Sequence, residues 1–136
     1  MSFNLKDKEL RETLTLPNGA ATTNSDPIQL HDQDDALKTF VANCELRLKV
    51  PALGATPLPD GQTITYSIQQ SDTADFASAD TISGGVVQTG AGGAGAAATE
   101  IRIRPPTNVK KYVRARAVKT GAANASTAAA TFEVLF

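Results

Sequence analysis

A chain of 136 residues has room for one hydrophobic core, and a composition 41% hydrophobic and 20% charged is globular, which excludes wholesale disorder. Lys plus Arg number 13 against 14 Asp plus Glu, a formal net charge of −1, so no long-range field draws in DNA or an anionic membrane. Cys44 is the single cysteine, which rules out an intrachain disulfide and a cysteine-built metal cluster.

The first twelve residues, MSFNLKDKELRE, are charged and carry no apolar stretch, so they do not read as a signal peptide, and no run reaches the length of a membrane-spanning helix. Together with the lone cysteine, this predicts a soluble protein made in a reducing cytoplasm. Residues 1–26 read as an N-terminal arm or an extra strand ahead of a single β-sandwich domain spanning 1–136. Within them RETLTL alternates, with Leu14 and Leu16 on one side, and Pro17-Asn18-Gly19 stops it. A polar Thr/Asn/Ser run follows, then Asp26-Pro27 as a turn or strand entry, and PIQLH as a short strand.

The clearest strand is Phe40 to Val50, where Phe40, Ala42, Cys44, Leu46, Leu48 and Val50 share one parity and Asn43, Glu45, Arg47 and Lys49 the other. Pro51 ends it, and a Pro/Gly loop leads to QTITYSIQQ, with Ile64, Tyr66 and Ile68 inward and Thr63, Thr65, Ser67 and Gln69 outward. SDTADFASAD reads as a polar crossover anchored by Phe76. Ser83 to Ala98 is Gly/Ala-rich and encloses a short Val86-Val87 strand, and its tract GAGGAGAAA, 90–98, reads as a flexible loop. Ile101 and Ile103 then share a parity, Val113, Ala115 and Ala117 oppose Tyr112, Arg114 and Arg116, and Phe132, Val134 and Phe136 oppose Glu133 and Leu135. About eight strands with turn signals between them and no long helix predict an all-β antiparallel sandwich, specifically a jelly roll of two packed sheets.

Catalytic and cofactor signals are sparse. Gly90, Gly92 and Gly95 spell G-x-G-x-x-G, but the tract runs into a strand rather than a helix whose N-terminus would hold pyrophosphate. His31, Asp32, Asp34 and Asp35 form the densest group of metal-ligating types, without the glycine and terminal glutamate of an EF-hand, and read as a solvated loop. His31 is the only histidine, which leaves a Ser-His-Asp triad little to build on. Lys119-Thr120-Gly121 matches a penicillin-binding motif with no S-x-x-K to accompany it, and Asn124-Ala125-Ser126 is a formal glycosylation acceptor that matters only on secretion. No catalytic residue, cofactor or metal is expected, and the chain reads as a non-enzyme.

The basic stripe carries more. Arg102 and Arg104 share a parity, as do Arg114 and Arg116, with Lys110, Lys111 and Tyr112 nearby. If the two strands pair, these seven residues form one cationic patch, which reads either as a solvated sheet face that blunts aggregation or as a surface suited to carboxylates of an adjacent subunit. Nucleic-acid binding would want net positive charge and several stacking aromatics, which the chain lacks.

The order SIQQSDTADFASAD, IRIRPPTNVKKYVRARAV and an Ala/Thr-rich final strand resembles the jelly-roll capsid cement (head decoration) proteins of tailed bacteriophages. The matching pieces are Ser71, Asp72 and Phe76, then Pro105-Pro106, then Lys111-Tyr112-Val113-Arg114, covering about the last two-thirds of the chain. The resemblance implies a protein on the capsid exterior of a virion, made in the host cytoplasm. It also implies a homotrimer around three-fold positions that clamps major capsid protein subunits, with no nucleic-acid or membrane partner. The alternatives from other classes are a carbohydrate- or ligand-binding β-sandwich module and another virion (tail or neck) subunit.

Overall fold

The computed structural model describes residues 10–30 and 44–135. Nine strands follow one another: β1 Arg11–Thr15, β2 Thr22–Asn24, β3 Ile28–Gln29, β4 Glu45–Val50, β5 Thr63–Ser71, β6 Asp80–Thr89, β7 Thr99–Ile103, β8 Tyr112–Lys119 and β9 Ala129–Leu135. No helix joins them among the described residues beyond a single helical-turn position at Leu10.

The pairing is nested. β1 lies antiparallel to β9, β2 and β3 to β8, β4 to β7, and β5 to β6. Such nesting is a long folded ribbon, and two further pairings, β4 with β9 and β5 with β8, roll it into two sheets. One sheet has the order β1-β9-β4-β7; the other has β2-β8-β5-β6, with β3 also on β8. Alternate ribbon rungs therefore fall in alternate sheets, which is the jelly roll expected from the strand count.

Period-2 patterning decides what lies between the sheets. Leu14 and Leu16, Leu46 and Leu48, Ile64, Tyr66 and Ile68, Val113, Ala115 and Ala117, and Phe132 are all buried, and they meet in one cluster. Cys44 belongs to it, and burial pushes its thiol up to about 11, so it packs as a small apolar side chain. Phe40, Ala42 and Asn43 of the predicted long strand, the His31–Asp35 group and Phe136 lie outside the described residues.

Three segments depart from the sequence reading. The Thr/Asn run contains β2, and β2 with β3 is one edge strand broken at Pro27: from Asn24 to Ile28 the chain takes four steps while its partner takes three, from Arg116 to Val113. At the break the Ser25 hydroxyl accepts from the Ala115 N–H (2.9 Å), while the Ser25 N–H donates to the Ala115 carbonyl (2.9 Å).

The second departure is β6, a strand of ten residues rather than a Val86-Val87 fragment. Its register against β5 slips between Tyr66 and Ile68 and again between Ile68 and Gln69, so it carries extra residues as bulges, and Gly85 at φ +94° supplies the backbone this needs. The third is the tract after β6. Gly90 and Gly95 press against the 53–59 segment, where a Cβ would fall 2.1 Å from the Pro59 oxygen or 1.9 Å from that of Leu53. The Gly93 N–H donates to Asp60 Oδ1 (2.9 Å), and Leu53 and Ala96 exchange backbone hydrogen bonds. Residues 90–96 thus form a turn docked on a neighbouring loop.

Candidate interaction surface

The chain between β7 and β8 passes through Pro105-Pro106 and crosses from one sheet to the other. Arg102 consequently sits against β4, and Arg114 and Arg116 sit against β5. The two arginine pairs do not share a surface, and the single cationic patch that required β7 to pair with β8 does not form.

The outer face of the β1-β9-β4-β7 sheet neutralises its own charge. Register places Arg11 beside Glu133, Glu133 beside Arg47, and Arg47 beside Arg102. Glu133 accepts from Arg47 Nε at 2.7 Å, again from Arg47 Nη2, and from Arg11 Nη2 at 3.2 Å. Burial works against its charge, but the hydrogen bond and charge of Arg47, helped by Arg11, outweigh it and hold the carboxyl below the usual range. Arg102 pairs with Glu45, whose carboxyl it lowers, and approaches Glu100 at 4.0 Å. Arg104 lies exposed just past β7, and its charge also reaches Glu45. A shallow open depression of about 280 Å³ lined by Lys49, Val50, Ala98, Thr99 and Glu100 lies between β4 and the start of β7.

The outer face of the other sheet is different. Arg114 donates Nε and Nη2 to the Gln69 side-chain oxygen at 3.0 and 2.9 Å, and its guanidinium lies 4.2 Å from the centroid of Phe76. Phe76 is therefore an anchor, but on the outer face rather than in the core cluster. The 71–77 loop folds over to place it. Ser71 Oγ accepts from the Thr73 N–H, Asp75 Oδ1 accepts from Thr73 Oγ1 (2.7 Å) and the Ala77 N–H (3.1 Å), and Phe76 takes φ +53°. This cover explains why Gln69, on the outward parity as expected, is buried.

Arg116 is the neighbour of Arg114 on this face, and its register partners are Asn24 and Ser67. Its Nε is buried with no hydrogen-bond partner among the described residues. Desolvation first, and then the Arg116 charge, lower the Arg114 pKa. Among the described residues no carboxylate lies within ion-pair distance of either arginine. Beside them Lys111 Nζ sits 5.5 Å from the Tyr112 ring centroid, whereas Lys110 is spent on Asp80 (2.6 Å) and Asp72 (3.9 Å). Of the seven candidates, Lys111, Tyr112, Arg114 and Arg116 thus share one face; Arg102 and Arg104 lie elsewhere, and Lys110 is neutralised.

Lys119 stands out in sequence only through its chance motif, and its packing is what the structure adds. It follows Val113, Ala115 and Ala117 on the inward parity, which was the available signal. Its Nζ is buried and donates to Gln62 Oε1 (2.6 Å) and to the Thr120 and Gly121 carbonyls (both 3.2 Å), with burial lowering its pKa. It ties the β8–β9 loop to the entrance of β5. The G-x-G-x-x-G tract joins β6 to β7, two strands. The Asn124 side chain accepts from the Ser126 N–H at 2.8 Å, an internal turn contact. Among the described residues no group of three or more His, Cys, Asp or Glu side chains is placed to hold a metal, and no helix is long and apolar enough to cross a membrane.

No protein-family model matches the chain, and no curated protein matches it. Among solved structures, it is similar to a chain from naturally occurring empty particles (top component) of cowpea mosaic virus: 12% identity, TM-score 0.44, covering 92% of this chain and 78% of that one. A chain from an empty virus-like particle of the same virus gives 12% identity and a TM-score of 0.38, covering 92% and 76%. The jelly-roll assignment rests on the strand pairing itself.

Proposed function

We propose that this chain is a structural virion protein, a capsid cement protein that docks on the outside of a tailed-phage head and ties major capsid subunits together. One observation supports it above the others: the two outer faces are electrostatically unequal. The β1-β9-β4-β7 face pairs Arg11, Arg47 and Arg102 with Glu133 and Glu45, while the opposite face presents Arg114 and Arg116 beside each other with no carboxylate within ion-pair distance among the described residues. The planar guanidinium of Arg114, held in place by Gln69 and Phe76, is pre-oriented beside Arg116 for carboxylates on a partner surface, which give specificity and orientation more than raw affinity. The resemblance of the 67–80 and 101–118 segments to cement proteins points to the same role.

The mechanism is linkage. A protein that binds the assembled shell and not its loose subunits stabilises the shell by about 2.7 kcal/mol per site at a free concentration a hundredfold above Kd. Three copies around a three-fold position add avidity without any single strong contact. No step involves bond chemistry. The carbohydrate-binding alternative loses ground because Tyr66 is fully buried and donates its hydroxyl to Gln88 (2.7 Å), which leaves Tyr112 as the one tyrosine available for stacking.

The test is addition of purified protein to mature capsids that lack it. Saturable binding in multiples of three per three-fold position, with a raised temperature of shell disruption, is the expected result. Equal binding to unassembled subunits, or none to capsids, overturns the reading.

A further inference from the structure

The two sheets have four edges, and three are guarded. β1 carries Arg11 and Glu12, β7 carries Glu100 and Arg102, and the β2–β3 edge is three and two residues long, broken at Pro27. Charge, shortness and proline are the usual devices that stop an edge from pairing with another chain. β6 has none of them over most of its length, and its bulges, which also guard an edge, lie before Val86. From Thr81 to Thr89 it reads TISGGVVQT, without a charge or a proline.

The free side of β6 is identifiable. Gly90 donates to the Gln62 carbonyl and accepts from the Gly61 N–H, both at 3.0 Å, so its backbone faces β5. Strand alternation turns Gln88 and Val86 the same way and aims the N–H and C=O groups of Val87 and Thr89 outward. No strand among the described residues pairs across that side. Val87 is also the one large hydrophobic side chain that stands exposed among the described residues, at 48%.

We infer that the Val86–Thr89 edge of β6 is a self-association seam, where a second copy of this chain adds its own β6 antiparallel about a two-fold axis centred near Val87. The occupant is a second copy because the strand matches itself. Self-pairing across an uncharged segment sets no like charges together, and it buries the two Val87 side chains against each other on the outer face. With the axis at Val87, Thr89 of one copy faces Gly85 of the other and pairing ends there at the bulge, which keeps the contact short and reversible; because it uses the β6 edge of both copies, it closes at two rather than running on. The seam lies at the β6 edge of the sheet whose outer face carries Arg114 and Arg116, two strands away from them on β8.

Sedimentation equilibrium of the full chain, with hydrogen exchange read at several concentrations, tests this. The expected results are a monomer–dimer equilibrium and slowing of exchange at the Val87 and Thr89 amides as concentration rises. Val87→Pro removes an N–H that β5 does not use, and Val87→Lys places charge at the seam. Each is expected to weaken dimerisation at least about tenfold while leaving circular dichroism and Tm close to wild type. Three results overturn the inference: a wild type that stays monomeric with concentration-independent exchange, a dimer unaffected by either substitution, or protection that appears only on adding an unrelated extended peptide. Loss of capsid binding bears on the shell-docking reading alone and leaves this one intact.

Discussion

Arg114 and Phe76, 38 residues apart in the chain, are stacked on the outer face of one sheet with the guanidinium carbon 4.2 Å from the ring centroid. The contact couples a loop to a strand, so it is expected to act as a unit. Phe76→Leu and Arg114→Met are each expected to destabilise. A double-mutant cycle by urea unfolding is expected to give a coupling of about 0.5–2 kcal/mol, the range of cation–π pairs from exposed to desolvated. A coupling indistinguishable from zero would show that Phe76 merely covers the sheet.

Docking through the same face predicts a division of effects. Arg116→Ala is expected to weaken capsid binding about tenfold or more with a change in stability within about 0.5 kcal/mol, whereas Arg102→Ala, whose partner is Glu45, leaves binding unchanged. Binding isotherms on mature capsids read the difference, and equal effects of the two substitutions would remove the case for a preferred face.

Glu133 gives a pH prediction whose sign is fixed by its partners. Its folded-state pKa lies below the unfolded value, so the stability it contributes is complete above the unfolded carboxylate range of about 4.3 and is lost as pH falls through the folded value. Wild type is therefore expected to weaken steeply below about pH 4.5, and Glu133→Gln to flatten that fall while costing about 1–3 kcal/mol at neutral pH. Urea midpoints across pH 3–7, about the carboxylate range, measure both.

The glycines of the 90–95 turn are expected to separate by space rather than by motif. Gly90→Ala and Gly95→Ala drive a Cβ into backbone and are expected to cost about 2–4 kcal/mol, whereas Gly92→Ala meets nothing within 4 Å and pays about 1–2 kcal/mol for its φ of +63°. Thermal unfolding of the three variants is the check. Similar losses would mean the turn relaxes away from Pro59 and Leu53.

Cys44, 1% exposed with its thiol pushed up to about 11, is expected to react with alkylating reagents only when the core opens. Its labelling rate at neutral pH should track denaturant as global unfolding does; fast labelling of native protein would contradict the packing.

Much of this was legible because alternation is a local signal. Leu46 and Leu48, Ile64 through Ile68, and Val113 through Ala117 each announce their inward face within a few residues, and the buried cluster is built from them. What alternation cannot give is which strand lies beside which. A single cationic patch requires neighbours in sequence to pair, but the ribbon sends β7 and β8 to different sheets, and that depends on contacts made far along the chain. β2, and β6 beyond Val86-Val87, are hard to read from sequence for a chemical reason. Thr-Thr-Asn and Ser-Gly-Gly bury little, so these segments are strands because their partners, β8 and β5, are. Phe76 was recognised as an anchor, but its partner Arg114 lies on a surface that only the loop geometry could reveal.

The nested ribbon also sets the order in which the molecule can be made. Among the described residues β1 pairs with β9 alone, and the Arg11–Glu133 contact spans 122 positions of sequence, so the sheet they share cannot close until β9 has been synthesised. Long-range pairing of this kind pays its loop-closure entropy before any reward, which makes folding slow. Until then β1 waits as an unpaired segment, and a chain cut short before residue 129 would leave both β1 and β4 without the neighbour that joins them.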